Sequence, residues 1–228
     1  MNPAKTILLA AGLIIGQHCH SQGFVNLDFE TANITVVPPG TGLSTATLPG
    51  WTAYVSPSIG NPTYDTYTIS YDTFALDAGG IFLEDANVPY GGAGPGGFSI
   101  LPIQGNYSIY LQGASLPAAL TVASIGQTGT IPIGTESLTY WSSGGALQVT
   151  FNGLPIDFLV TGTTANYDIY SADISAYAGE TGQLLFTAPA NDSALLDNIQ
   201  FSASPVPEPS VFALTALGGL LLGFLRRR

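Results

Sequence analysis

Basic residues and cysteine are almost missing from this chain. Its four Lys and Arg residues are Lys5, Arg226, Arg227 and Arg228, its one cysteine is Cys19, and its two histidines are His18 and His20. From Gln22 to Pro205 there is therefore no Lys, Arg, His or Cys. Each absence removes a class of function. Without an imidazole or a thiol, Ser-His-Asp and Cys-His catalysis have no proton acceptor or nucleophile, and without lysine no Schiff base can form. Without cysteine there are no disulfides, and zinc sites of the Cys/His type cannot be built. The same span holds fourteen acids, the fifteen of the whole chain less Glu208. A body of that charge repels phosphate backbones, so nucleic-acid binding is excluded.

What remains is a chain rich in β-forming and turn-forming residues. Short runs of Val, Ile, Thr, Tyr and Phe recur from Phe24 onward, punctuated by many of the 28 glycines and 16 prolines, and no segment sustains a helical period. Strands are predicted over 25–29, 34–37, 51–55, 67–70, 74–76, 81–83, 98–101, 107–112, 118–124, 137–142, 147–151, 156–160, 166–171, 182–187 and 194–202. Many short strands without intervening helices predict an all-β, two-layer antiparallel β-sandwich of jelly-roll type. Leu138 and Tyr140 alternate with Thr139 and Trp141, which puts a tryptophan on the face away from the apolar side. Gly144-Gly145 reads as a hairpin turn into 147–151, and Asn152-Gly153 as a second turn into 156–160. Asp173 to Gly179 reads as one capped helical turn, and Ala86 to Gly97 as a mobile surface loop.

The two ends differ from the body. Lys5, the apolar stretch Ile7 to Ile15 and the small or polar residues before Gln22 read as a signal peptide over residues 1–21, leaving a sandwich domain over 22–205. Cys19 lacks the neighbours of a lipobox. At the other end Val206, Pro207, Glu208, Pro209 and Ser210 precede fifteen apolar-rich residues, Val211 to Leu225, and then Arg226, Arg227 and Arg228. A helix of that length spans roughly 22 Å against a hydrocarbon core of about 30 Å. The arginines place it with the body outside the cytoplasm. An ordinary C-terminal anchor is one reading. These three ordered parts also resemble the PEP-CTERM sorting signal. The resemblance implies a Gram-negative envelope or extracellular-matrix protein, with an exosortase as partner, transient membrane anchorage and an association with exopolysaccharide.

A second resemblance concerns the body. Phe24-Val25-Asn26-Leu27-Asp28-Phe29-Glu30, Leu48-Pro49-Gly50-Trp51 and Leu195-Leu196-Asp197-Asn198-Ile199 resemble the opening and closing segments of galactose-binding-like jelly rolls, including carbohydrate-binding modules. That likeness implies a structural calcium (Ca2+) with Glu30 and Asp197 as carboxylate ligands and Asp28 or Asn26 nearby, although Asn198 stands where an aspartate is frequent. Calcium would also relieve acids that have no basic partner. For glycan contact the candidates are Tyr64, Tyr67 and Tyr71, whose neighbours Asp65 and Asp72 suggest exposure; Tyr54, Tyr90 and Trp141 are further aromatics, and Trp51 reads as a core plug. No acid shows an apolar setting that would raise its pKa. Glu84 and Asp85, adjacent on a strand, would face opposite ways, and with Glu136 they leave carboxylate-dependent glycoside hydrolysis as the least favoured reading. The favoured reading is a non-enzymatic structural or adhesive body, with a carbohydrate-binding module as the alternative.

Overall fold

A computed structural model describes residues 23–34, 38–43, 47–56, 65–74, 78–88, 100–114, 122–145 and 147–206. The expected signal peptide, Pro207 to Arg228 of the sorting segment, Tyr64, and most of the expected 86–97 loop, with Tyr90, lie outside these residues. Among the described residues no helix is long and apolar enough to cross a membrane.

The described chain forms thirteen strands: β1 (Thr52–Ser56), β2 (Asp65–Tyr67), β3 (Ser70–Tyr71), β4 (Gly80–Asp85), β5 (Tyr107–Gln112), β6 (Val122–Thr130), β7 (Ser137–Gly144), β8 (Gln148–Phe151), β9 (Leu154–Ile156), β10 (Leu159–Thr163), β11 (Asp168–Asp173), β12 (Thr181–Ala188) and β13 (Ser193–Ser202). Six of them make one sheet in the order β2-β1-β6-β12-β8-β9 and seven make the other, β10-β11-β7-β13-β5-β4-β3. All pairings are antiparallel except β3 with β4, which is parallel. The predicted all-β sandwich is what the chain adopts.

Alternation builds the core. On β5, Ile109 and Leu111 turn inward; on β7, Leu138 and Tyr140 do so; Leu184 and Phe186 of β12 meet them from the other sheet. Trp51 is the expected core plug, with its ring 5.4 Å from Phe29 and 6.4 Å from Phe186. Its indole N–H donates to the Asn26 carbonyl at 2.8 Å.

Four local expectations need correction, and three of them share one cause. Gly144-Gly145 is not a hairpin turn, because β7 and β8 belong to different sheets and the glycines carry the chain across the sandwich. Both strands bury their apolar residues in the same core, so alternation cannot distinguish a hairpin from a crossover. Gly144 has φ +105, and a Cβ there would press on the Ser193 carbonyl. In the same way the single strand expected over 156–160 divides into β9 and β10, and that over 67–70 into β2 and β3, each pair split between the sheets. Lastly, Val25 to Phe29 does not form a strand, and turns begin at Leu27, with Asn26 and Phe29 at φ 51° and 60°. Gln127 explains how this segment is satisfied without a strand partner. Its side-chain amide accepts from the Val25 N–H at 2.6 Å and donates to the Val25 carbonyl at 2.9 Å.

Two local readings hold. Asn152 and Gly153, at φ 51° and 77°, form the left-handed turn of the β8–β9 hairpin. Asp173 accepts the Ser175 N–H at 2.9 Å at the head of a 3-10 turn, Ser175–Tyr177, and Gly179 at φ 82° ends it.

Candidate functional site

The outward face of the seven-stranded sheet carries the polar and aromatic residues that could meet a ligand. Register sets them in rows. Phe82 pairs with Tyr110, Tyr110 with Leu195, and Leu195 with Ser143, giving one row across β4, β5, β13 and β7. A groove of about 620 Å³ lies over Tyr110, Leu195 and Ser143 of that row, lined also by Leu101, Pro102, Ala165 and Asn166. Tyr110 is half-buried on its floor, and Ser143 and Ser193 offer hydroxyls. Beside it, Trp141 projects outward as the alternation on β7 predicts and stacks on Tyr167 at 4.6 Å and 16°. The turn that presents Tyr167 is closed by Thr164, whose hydroxyl accepts the Asn166 and Tyr167 N–H groups and donates to the Tyr167 carbonyl. Aromatic rings with short hydroxyl and amide side chains, and no cation, match the apolar C–H face and hydroxyl edge of a neutral sugar.

The sequence candidates for glycan contact are not gathered in this groove. Tyr71 is only 3% exposed, and its hydroxyl donates to Asp85 Oδ2 at 2.6 Å. Its neighbour Asp72 is as inaccessible, so the alternation of acids with tyrosines did not mark a surface. Tyr67 is exposed, but on β2 at the edge of the opposite sheet. Tyr110, Ser143, Asn166 and Tyr167 were missed. The outward phase of β5, with Tyr110 between Ile109 and Leu111, was the available signal for the first of them.

The next row brings acids together. Glu84 pairs with Ser108, whose hydroxyl donates to Asp197 Oδ2 at 2.7 Å, and Asp197 pairs with Trp141. Asp197 Oδ2 also accepts the Gln104 N–H, and its Oδ1 accepts the Asn198 N–H. Glu30 grips the same turn: Oε1 accepts the N–H groups of Asn106 and Tyr107, and Oε2 accepts from the Asn106 side chain. Glu30 and Asp197 thus converge as the opening and closing segments imply, and protein donors already meet every one of their oxygens. Burial raises Asp197 to about 6 against the effect of its bonds to Ser108, Asn198 and Gln104, and the Glu30 charge adds to the rise. Among the described residues no group of three or more His, Cys, Asp or Glu is placed to hold a metal.

Glu84 and Asp72 overturn the expectation that no acid sits in an apolar setting. Both have 0% exposure, and all four of their carboxylate oxygens lack a hydrogen-bond partner. Burial, and then the charge of Asp72, push Glu84 up to about 9. Asp72, closer to the periphery of the molecule, is raised to about 6 by burial; the nearby Asp85 N–H opposes that rise without completing a hydrogen bond, and the Asp85 charge adds to it. Glu84 and Asp85 do face opposite ways. Asp85 turns to Tyr71 and to Asn87, whose main-chain and side-chain N–H groups both reach Oδ1.

A further opening of about 410 Å³ lies beside Val149, Ile156, Phe158 and Tyr170. Tyr140 lines it, stacked on Tyr170 at 5.0 Å, with its hydroxyl inaccessible and unpartnered.

The class defined by this fold is an all-β two-layer sandwich with a grooved outer face. No protein-family model matches the chain, and no curated protein matches it in sequence. Two solved structures are similar to it. One is the enzymatically active domain of tailspike protein 4 of bacteriophage CBA120, at 13% identity and a TM-score of 0.37, covering 76% of this chain and 23% of that one. The other is a family 11 carbohydrate-binding module from Clostridium thermocellum, solved in complex with a beta-1,3-1,4-mixed-linked tetrasaccharide, at 8% identity and a TM-score of 0.34, covering 75% of this chain and 100% of that one. The present chain spans less than a quarter of the tailspike chain it matches.

Proposed function

We propose that this is an exported, non-catalytic protein of the cell envelope or extracellular matrix that binds neutral polysaccharide along the outer face of its seven-stranded sheet. The observation that carries the reading is the groove over Tyr110, Leu195 and Ser143, with the stacked Trp141 and Tyr167 rings beside it. Charge narrows the ligand class. A body with fourteen acids and no base disfavours uronic-acid and sulfated polymers, whereas an uncharged glycan meets no repulsion. Catalysis is disfavoured because Glu84, the acid with the strongest upward shift, is sealed from solvent and so has no access to a glycosidic oxygen.

The test is retardation of the full-length protein in native gels containing a neutral glucan or a uronic-acid polymer. Retardation by the neutral polymer alone is expected. Tyr110→Ala or Trp141→Ala should weaken it at least tenfold, as loss of an aromatic anchor costs more than about 1.4 kcal/mol. Equal retardation of wild type and both variants would sink this choice of site, and no retardation by any glycan would leave a purely structural body.

Delivery through the PEP-CTERM segment, with exosortase as partner and the inner membrane as a stage on the way, belongs to the same proposal. Protein recovered from outside the cell should have a mass that lacks Arg226 to Arg228; an intact C-terminus in that fraction would argue against processing. Calcium at Glu30 and Asp197 is the weaker reading, since N–H and O–H donors already meet all four of their carboxylate oxygens; it would require a calcium-dependent gain in stability that Glu30→Gln abolishes.

A further inference from the structure

Four carboxylate oxygens sit inaccessible and unpartnered where β3 meets β4. Asp72 follows directly on β3, and its main-chain N–H donates to the Leu83 carbonyl at 2.9 Å, which fixes it beside Glu84 on β4. Burying an ionised carboxylate without a partner is among the largest penalties a fold can carry, and burying two side by side compounds it. Most proteins would answer with a lysine, arginine or histidine. This body has none from Gln22 to Pro205, so the compensating charge must come from outside the chain. Nor can the neighbouring acid rearrange to help. Asp85 is occupied by the Tyr71 hydroxyl on one oxygen and by Asn87 on the other.

We propose that Asp72 and Glu84 are the carboxylate ligands of a buried divalent cation, calcium by ligand chemistry. Oxygen donors alone, with no sulfur or imidazole within the body, select a hard cation, and calcium tolerates the irregular geometry of two carboxylates completed by main-chain carbonyls and water. The site differs from the Glu30 and Asp197 pair. Those oxygens already accept N–H and O–H donors, whereas the Asp72 and Glu84 oxygens accept none. Its structural effect follows from its place in the sheet. β3 is a two-residue strand that pairs in parallel with β4 and is bonded on its far side by the main chain of 40–43, so a cation shared by Asp72 and Glu84 adds a second fastening between this short strand and β4.

The rival occupant is a proton shared between the two carboxyl groups, and calcium titration separates the two. Full-length protein stripped with chelator is melted with and without added calcium chloride. Wild type should gain about 5–10 °C with calcium, the gain expected of a ligand well above its dissociation constant. The double variant Asp72→Asn, Glu84→Gln should gain nothing, and in chelator it should melt above wild type because the cost of burying two ionisable carboxyl groups is gone. Glu30→Gln should keep the gain. A wild type indifferent to calcium overturns the proposal in favour of the shared proton. A gain that survives in the double variant, or that Glu30→Gln alone removes, overturns it in favour of another site. Should the double variant fail to fold, equilibrium dialysis decides on wild type and Glu30→Gln: one calcium held by both supports the proposal, and none held by either refutes it.

Discussion

Melted in chelator, the full-length protein should become more stable as the pH falls from 8 to 5, the reverse of ordinary acid denaturation. Glu84 carries most of this effect. Its carboxyl titrates at about 9 in the folded chain against an ordinary 4.5, so between those values the unfolded chain releases a proton that the folded chain retains. In that window every rise in pH favours unfolding, by up to about 1.4 kcal/mol per unit for one such group. The stability it contributes is complete below about 4.5 and lost as the pH climbs through 9. Asp72 and Asp197, each raised from 3.8 to about 6, act with the same sign over their narrower window. The dependence should therefore be steepest between about 4.5 and 6, where all three contribute. Asp173, lowered by its bonds to Ser175, acts oppositely and below that window. Thermal melts across the range, with Glu84→Gln as control, check this; the variant should flatten the profile above pH 6. A melting temperature that falls steadily from pH 8 to 5 would mean that Glu84 is solvated.

The second large effect belongs to Phe186. Its side chain is fully buried on β12, with ring contacts to Trp51 in its own layer and to Tyr140 of the facing sheet at 5.4 Å, edge-on. Phe186→Ala opens a cavity between two sheets that cannot collapse independently, and should cost about 3–5 kcal/mol. Against a total of about 5–15 kcal/mol that is enough to unfold a marginal domain. Urea titration followed by tryptophan fluorescence measures it directly, because Trp51 borders the deleted ring. Tyr110→Ala on the outer face should cost far less on the same measurement. A loss below about 1 kcal/mol for Phe186→Ala would contradict the packing described.

Period-two alternation made the strands legible. Tyr107 to Gln112 needed no adjustment, and the Asn152-Gly153 turn was readable because only a few residue types accept two successive positive φ values. Sheet membership was not legible, since a strand facing one shared core looks the same from either layer; Gly144-Gly145 and the division between Ile156 and Leu159 show this. Acid placement misled for a related reason. Asp72 after Tyr71 looks solvated in sequence, and only the meeting of β3 with β4 buries it beside Glu84, twelve positions away. Convergence of Glu30 with Asp197 was foreseen through the resemblance of the opening and closing segments. The donors that meet them come from the 104–108 turn, which nothing in the pattern connected to either end.

The position of β13 has a mechanical consequence. It is the last strand in the described chain, and it lies inside its sheet with β7 along one side and β5 along the other. Tension applied at Val206 enters the body through that strand. The strand is held by two ladders of hydrogen bonds instead of one edge pair, so the end nearest the tail is a better-anchored point at which to tether this sandwich than an edge strand such as β2 or β10.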